Sequence, residues 1–155
     1  MAGKKSYTIT RSNNSTEKEA LEYLLHIDNH FILPDKESRI SLMQMFDIDQ
    51  RFSRAFDLVY LKDSQRENSI TLENKDSVTF IELKTTKKNL PNNPRGFFFG
   101  ATKNEFDLAE LLGDKYKFCF VSLHKESLSH VTLSLQELEG MIKTKRIQYQ
   151  INLKN

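Results

Sequence analysis

Residues 77–85 read SVTFIELKT, and this stretch decides the fold. Its β-branched and aromatic residues predict a strand, along which side chains alternate between the two faces of a sheet. Glu82 and Lys84 therefore point to the same face as Phe80, whereas Leu83 points to the opposite, apolar side. Charged groups on a buried strand are costly to remove from water. Their presence indicates a site that uses them, such as a metal site with a phosphate substrate.

A second acidic residue interrupts the apolar stretch AFDLVYL at residues 55–61, which predicts another strand. If the two strands are neighbours, Asp57 and Glu82 converge on one hard cation, and the carbonyl of Leu83 can add a ligand. Magnesium prefers such oxygen ligands, and Mn²⁺ is the alternative. The metal would polarise a phosphodiester and acidify a bound water. Lys84 would stabilise the hydroxide or the developing negative charge.

The segments around these two strands predict helices and one further buried strand. Capping boxes, in which Ser or Thr precedes Glu by three positions, mark helix starts: Thr16–Glu19, Thr102–Glu105 and Ser134–Glu137. Residues 116–123, YKFCFVSL, predict a strand buried on both faces. The order of helix, strands, helix, strand and helix predicts an α/β (α+β) fold, with a mixed central β-sheet flanked by helices.

Other segments predict short strands or give no assignment. Short strands are predicted at residues 69–72 and 96–100, and the alternating tail RIQYQINL at residues 146–153 predicts an edge strand. Residues 29–54 have a mixed pattern that matches no element. The three phenylalanines of residues 97–99 are interpreted as core residues rather than as platforms on which bases stack.

Length and composition predict one compact domain. The chain has 155 residues, with 38% hydrophobic and 28% charged residues. This suits a single globular domain at residues 14–155, preceded by a flexible basic N-terminal arm at residues 1–13. No apolar run approaches the roughly 20 residues that span a bilayer, so no membrane partner is expected. The single cysteine, Cys119, excludes an internal disulfide and fits a cytoplasmic protein.

Basic residues are concentrated after the strand that carries Glu82. No acidic residue occurs between Lys84 and Asn104, whereas basic residues recur there. The candidates for contact with nucleic-acid phosphates are Lys87, Lys88, Arg95 and Lys103. This distribution predicts a surface that meets a polyanion such as DNA.

The spacing of Asp57 from Glu82-Leu83-Lys84 resembles the D…(D/E)XK signature of the restriction-endonuclease-like superfamily, also called PD-(D/E)XK nucleases. The resemblance implies a restriction-endonuclease-like fold and a Mg²⁺-dependent endodeoxyribonuclease. It assigns catalysis to Asp57, Glu82 and Lys84, and metal binding to Asp57, Glu82 and the Leu83 carbonyl.

The resemblance also implies a metal-associated glutamate on the first helix, because many members of the superfamily carry one there. Glu17 is the candidate, since it lies on the helical face of Ala20 and Leu24. Glu19 and Glu22 are the alternatives.

Two segments resemble, in addition, a nuclease-like domain first described at the C-terminus of plant NO VEIN proteins and found in bacterial defence systems. They are FIELKTT at residues 80–86 and FFFGATKNEFDLAELLGDKYKFCFVSL at residues 97–123. The resemblance implies hydrolysis of DNA phosphodiester bonds in restriction, phage defence or repair. Little chain remains for reading a DNA sequence, so a homodimer or a larger restriction or defence complex is expected.

Two other interpretations remain open. The chain could be a non-catalytic module on the same fold that binds nucleic acid or a protein. It could also be a small structural or interaction protein, which predicts that Asp57, Glu82 and Lys84 lie far apart. Glu105 is interpreted as a capping residue rather than a catalytic one.

Overall fold

The computed structural model describes residues 2–62, 70 and 74–155, with side chains from residue 15 onward. Within these residues the helices are α1 (Ala2–Ile27), α2 (Lys36–Met45), α3 (Lys103–Leu112) and α4 (Leu135–Glu139). The strands are β1 (Phe31–Ile32), β2 (Leu58–Leu61), β3 (Val78–Thr86), β4 (Tyr116–Ser122) and β5 (Ser129–Leu133).

The strands form one mixed sheet in the order β1-β2-β3-β4-β5. Strand β3 pairs antiparallel with β2 and parallel with β4, while the outer pairs are antiparallel. A parallel pair needs a long crossover, which the segment between β3 and β4 supplies with α3. The mixed sheet with flanking helices confirms the predicted α+β class.

Helices cover both faces of the sheet. On one face, α1 packs in a cluster with Ile81 and Leu83 of β3. On the other face, Phe80 lies in a core that includes residues of α2, α3 and α4. Because alternate residues of β3 face opposite sides, Glu82 and Lys84 point with Phe80 toward the face that α3 covers.

Helix α1 begins earlier than the sequence predicts. The start expected at the capping box of Thr16 and Glu19 is wrong, because the helix already begins at Ala2. Residues 2–15 contain no proline that would break the hydrogen-bond ladder, so the box lies inside the helix. The arm predicted at residues 1–13 is therefore helical backbone from Ala2 onward, and its flexibility stays a prediction.

The strand predicted at residues 96–100 is wrong, because this segment is irregular. Phe97 and Phe99 pack their rings on Phe120, with centroids 5.0 and 5.1 Å from it. The interpretation of these two as packed residues holds. Phe98 is 93% exposed, so its interpretation as a core residue is wrong.

The edge strand predicted at residues 146–153 is also wrong. This tail is irregular, and its large apolar side chains are highly exposed; they are Ile147, Tyr149, Ile151 and Leu153. Alternation produces a strand only where a sheet edge lies beside it to complete the hydrogen bonds. The strand predicted at residues 69–72 falls outside the described residues except for Ile70, which packs against the core.

Residues 29–54, which the sequence pattern left unassigned, form β1, α2 and a short 3-10 turn, Gln50–Phe52. Asp35 caps α2 by accepting the backbone N–H of Ser38 at 2.8 Å. No helix among the described residues combines the length and apolar character needed to cross a membrane.

Candidate active site

The start of β2 brings an acidic side chain next to β3. Asp57 immediately precedes β2, and its backbone N–H donates to the carbonyl of Ile81 at 2.8 Å. Its carboxylate Oδ2 accepts the backbone N–H of Leu83 at 2.7 Å. Leu58 lies opposite Ile81 in the antiparallel pair, and the charge of Asp57 raises the pKa of Glu82, so the two acidic side chains lie close together. The structure thus brings together the two acids expected to share a cation.

Lys84 is held between two buried carboxylates. Its Nζ lies 3.1 Å from Oε2 of Glu82 and 2.6 Å from Oε1 of Glu105. The second oxygen of Glu105, Oε2, accepts the hydroxyl of Thr102 at 3.0 Å. A buried ion pair stabilises a structure only when its geometry is good and its other hydrogen bonds are satisfied. The position of the lysine ammonium is therefore fixed by one carboxylate of its own strand and one of α3.

Glu105 is the residue whose role the sequence interpretation missed. Its backbone N–H does donate to the Thr102 hydroxyl at 3.2 Å, which confirms the predicted start of α3. Its carboxylate, however, reaches Lys84 and is buried. Leu108 and Ala109, three and four positions later, are buried as well. This spacing places Glu105 on the inner face of α3 and is the signal in the sequence that could have found it.

The three candidate glutamates of α1 differ in where they point. Glu17 forms a side-chain hydrogen bond with Asp57, and it is about half buried. Glu19 pairs with Lys87 at 3.3 Å between exposed side chains, and Glu22 is exposed. Among the three, the structure therefore brings Glu17 to the acidic residues of the sheet.

Acidic side chains outnumber basic ones in this cluster, and their pKa values respond to that. Burial, followed by the charge of Asp57, raises the pKa of Glu82 to about 10. Burial and the charge of Asp57 likewise raise the pKa of Glu17 to about 7. Burial acts to lower the pKa of Lys84, but Glu82 and Glu105 outweigh it, so that this pKa is raised. The cluster would be relieved by an additional positive charge.

The carboxylates fit a hard divalent cation, because such ions prefer oxygen ligands and one carboxylate oxygen lacks a partner. Oε1 of Glu82 is buried and has no hydrogen-bond partner among the described residues, and a buried polar atom without a partner is costly. In a strand the N–H and C=O of one residue face the same edge, so the Leu83 carbonyl faces the side where Asp57 lies. Among the described residues, no group of three or more acidic, histidine or cysteine side chains is arranged so that it could hold a metal ion, so a backbone carbonyl has to contribute.

Arg39 fixes the backbone that leads into Asp57. Its Nη1 donates to the carbonyls of Ser53 at 3.1 Å and Phe56 at 2.8 Å, and its Nη2 donates to the carbonyl of Asp57 at 3.0 Å. The guanidinium also lies 4.1 Å from the centroid of the Phe56 ring. Burial lowers the pKa of Arg39, against the opposing charges of Asp57 and Glu82. Sequence patterns gave no sign of this role, because the contacts are to backbone atoms remote in the chain.

A surface cavity of about 460 Å³ adjoins Asp57. Its lining includes the basic residues Lys36, Arg39 and Arg54. This basic surface comes from the segment at residues 29–54 and adds to the one predicted after β3. Cations beside an acidic site are suited to the phosphates on either side of a scissile bond.

The basic residues predicted to contact nucleic acid lie between β3 and the start of α3. Lys88 and Arg95 are exposed. Lys87 pairs with Glu19, and Lys103 pairs with Asp107 at 2.6 Å. Exposed pairs of this kind contribute little to stability, so both lysines can exchange their partners for phosphates. Contact of these four residues with DNA stays a prediction.

Comparison with known proteins assigns most of the chain to one family. The family model described as Protein NO VEIN, C-terminal, matches residues 16–133. The matched range contains every residue of the acidic cluster, from Glu17 to Glu105, and it stops before the exposed tail. A search of curated proteins and a search of solved structures gave no match.

Proposed function

Since the chain belongs to the family described as Protein NO VEIN, C-terminal, a family of PD-(D/E)XK-like nuclease domains, we propose that it is a metal-dependent endonuclease that hydrolyses DNA phosphodiester bonds. The observation that carries the proposal is the meeting of Asp57, Glu82 and Lys84 where the start of β2 lies beside the middle of β3. Such a meeting argues against a small interaction protein, for which these residues would lie apart.

The proposed metal is Mg²⁺ or Mn²⁺, held by Asp57, Glu82 and the Leu83 carbonyl, with Glu17 beside them. When bound, the cation supplies Lewis-acid activation of the phosphate and lowers the pKa of a water molecule. The unpartnered Oε1 of Glu82 and the hydrogen bond between Glu17 and Asp57 support this assignment.

Lys84 donates to the negative charge that develops as water attacks the phosphate. Its two carboxylate partners keep the ammonium charged and fix it in one position. A donor that is already oriented needs no reorganisation when the charge appears, which is the largest source of catalysis in many enzymes. Glu105 acts here as a positioning residue, because it touches Lys84 rather than the substrate.

DNA as the substrate is supported by the two basic surfaces that flank the acidic cluster. One lies after β3, and the other lines the cavity beside Asp57. The biological setting that we infer is restriction, phage defence or repair in the cytoplasm. A homodimer or a larger complex would supply the sequence recognition for which one small domain has little room.

The test is cleavage of supercoiled plasmid and of single-stranded DNA by the purified protein, with Mg²⁺, with Mn²⁺ and with EDTA. We expect cutting with either metal, none with EDTA, and none by Lys84→Ala. The control is Lys62→Ala, because Lys62 is an exposed lysine at the opposite end of β2 from Asp57. Wild-type protein that binds DNA but cuts nothing under any metal would refute catalysis and leave a binding module.

A further inference from the structure

The loop at residues 96–100 presents one aromatic side chain to solvent. Phe98 is 93% exposed, whereas its neighbours Phe97 and Phe99 pack on Phe120 at 5.0 and 5.1 Å between centroids. An exposed phenylalanine between two packed ones cannot turn inward without releasing them. The loop therefore keeps this ring in solvent and prevents it from packing against the core.

The base of the loop is tied to the sheet, so the outward position is a built feature. Nδ2 of Asn93 donates to the carbonyl of Phe120 at 3.0 Å and to the hydroxyl of Ser129 at 3.2 Å. The N–H of Phe97 donates to the carbonyl of Pro94 at 2.9 Å. Gly96 turns the chain with φ +82°, a conformation that other residues adopt only with strain.

The loop that carries the exposed ring borders the acidic cluster through its neighbouring residue. Phe99, the adjacent residue, has its ring centroid 5.9 Å from Nζ of Lys84. The same loop continues into Thr102 and α3, whose Glu105 holds that lysine. Phe98 therefore lies one residue from a ring that borders Lys84, which makes it the candidate to meet nucleotides that flank a phosphate bound there.

The surroundings of Phe98 favour a nucleic-acid base over an apolar protein surface. The nearest charged residues in sequence, Arg95 and Lys103, are both basic and exposed, and no acidic residue lies between them. A single exposed ring among cations is the arrangement that binds single strands, in which bases stack on aromatic side chains while cations hold the backbone.

We propose that Phe98 stacks on an unpaired base beside the scissile phosphate, so that the protein prefers single-stranded or locally opened DNA to continuous duplex. The inference rests on the proposed nuclease function for the place of the phosphate, and it adds the class of substrate. In a continuous duplex the bases are already stacked on each other, and a rigid loop gains nothing from them unless a step is opened.

The direct test uses Phe98→Trp, because the chain contains no tryptophan and the new indole is the single tryptophan fluorophore. Titration with a single-stranded oligonucleotide in EDTA, where the strand stays intact, should quench its emission. Heparin, which offers charge without bases, should not quench it. The matched control is Leu128→Trp, at an exposed apolar position in the loop before β5; it should not respond to either.

The second measurement is affinity by fluorescence anisotropy. Phe98→Ala should bind single-stranded DNA roughly tenfold more weakly, while Phe98→Tyr keeps the affinity and duplex binding is unchanged. Equal affinity of wild type and Phe98→Ala for single strands would overturn the proposal. A tryptophan signal that depends on protein concentration without DNA would also overturn it, by showing that the ring covers a second protein surface.

These readouts separate the two proposals. If single strands quench Phe98→Trp while the wild-type protein cuts no DNA, stacking is supported and the nuclease is rejected. Metal-dependent cutting that is indifferent to Phe98→Ala would keep the nuclease and reject stacking.

Discussion

Replacing Glu105 with glutamine removes the charge of one of the two carboxyl groups that hold Lys84. The amide keeps the shape of the carboxylate and can still accept from Nζ of Lys84, which lies 2.6 Å from Oε1 in the wild type. The Thr102 hydroxyl can rotate to accept from the new NH₂ group. The ammonium still donates to a neutral oxygen, but the attraction between two opposite charges is lost, and one pKa unit of such attraction corresponds to about 1.4 kcal/mol. The hold on the lysine therefore weakens by about 1–2 kcal/mol.

We expect the cleavage rate of Glu105→Gln at saturating DNA to fall about tenfold, which corresponds to about 1.4 kcal/mol in the barrier. The assay is the initial rate of plasmid nicking with Mg²⁺, measured across pH. Glu82 and Glu105 together raise the pKa of Lys84 against the effect of burial, so losing one charge lowers it. The alkaline limb of the rate profile should move to lower pH, which a loss of packing alone would not produce.

The control for this variant is Glu110→Gln, because Glu110 lies on the exposed side of the same helix. It should leave both the rate and the pH profile as in the wild type. If Glu105→Gln folds normally and shows an unchanged rate with an unchanged alkaline limb, the argument that Glu105 positions Lys84 is refuted.

Three further changes test the site and its supports by urea denaturation. Because the pKa of Glu17 is raised to about 7, the folded state binds its proton more tightly than the unfolded chain does, and the free energy of unfolding without metal falls as pH rises from about 4.5 to about 7. Glu17→Gln should remove the share of this fall that Glu17 causes, on the order of 1 kcal/mol for a half-exposed group, and leave the share that Glu82 causes. Arg39→Lys should lower the free energy of unfolding by about 2–3 kcal/mol, because one ammonium cannot replace three backbone hydrogen bonds. Arg51→Lys, at an exposed site, should change it little. Gly113→Ala should cost about 1–3 kcal/mol at φ +57°, while Gly140→Ala, at φ −67°, should be tolerated. A flat pH dependence in wild type, or equal losses within either matched pair, would contradict the corresponding argument.

The central part of the site could be predicted because it depends on local rules. The period of two along residues 77–85 is enough to place Glu82 and Lys84 on one face, whatever the rest of the chain does. The acid inside the apolar stretch before β2 marks Asp57 in the same way. The capping pattern at Thr102 also gives the start of α3, because a cap involves only neighbouring residues.

The parts that sequence reading missed depend on contacts between distant segments. Arg39 acts through backbone carbonyls that lie well beyond its own helix, and carbonyls carry no sequence signal. Glu105 looks like half of a capping box until the sheet brings Lys84 to it. The alternating tail at residues 146–153 satisfies a local rule for strands, but pairing requires a neighbouring edge that no local rule supplies.

The packing of α1 on the sheet determines which part of the molecule unfolds locally first. The side chains of α1 that are fully buried against the sheet are, among those described, Ala20 and Leu24, whereas β3 is paired with strands on both sides. Elements held by few buried contacts open locally at lower free energy than central strands. Amide hydrogens of α1 should thus exchange with solvent before those of β3. Since Glu17 belongs to α1, local opening of that helix would move Glu17 away from Asp57 and Glu82 reversibly, while the sheet stays folded.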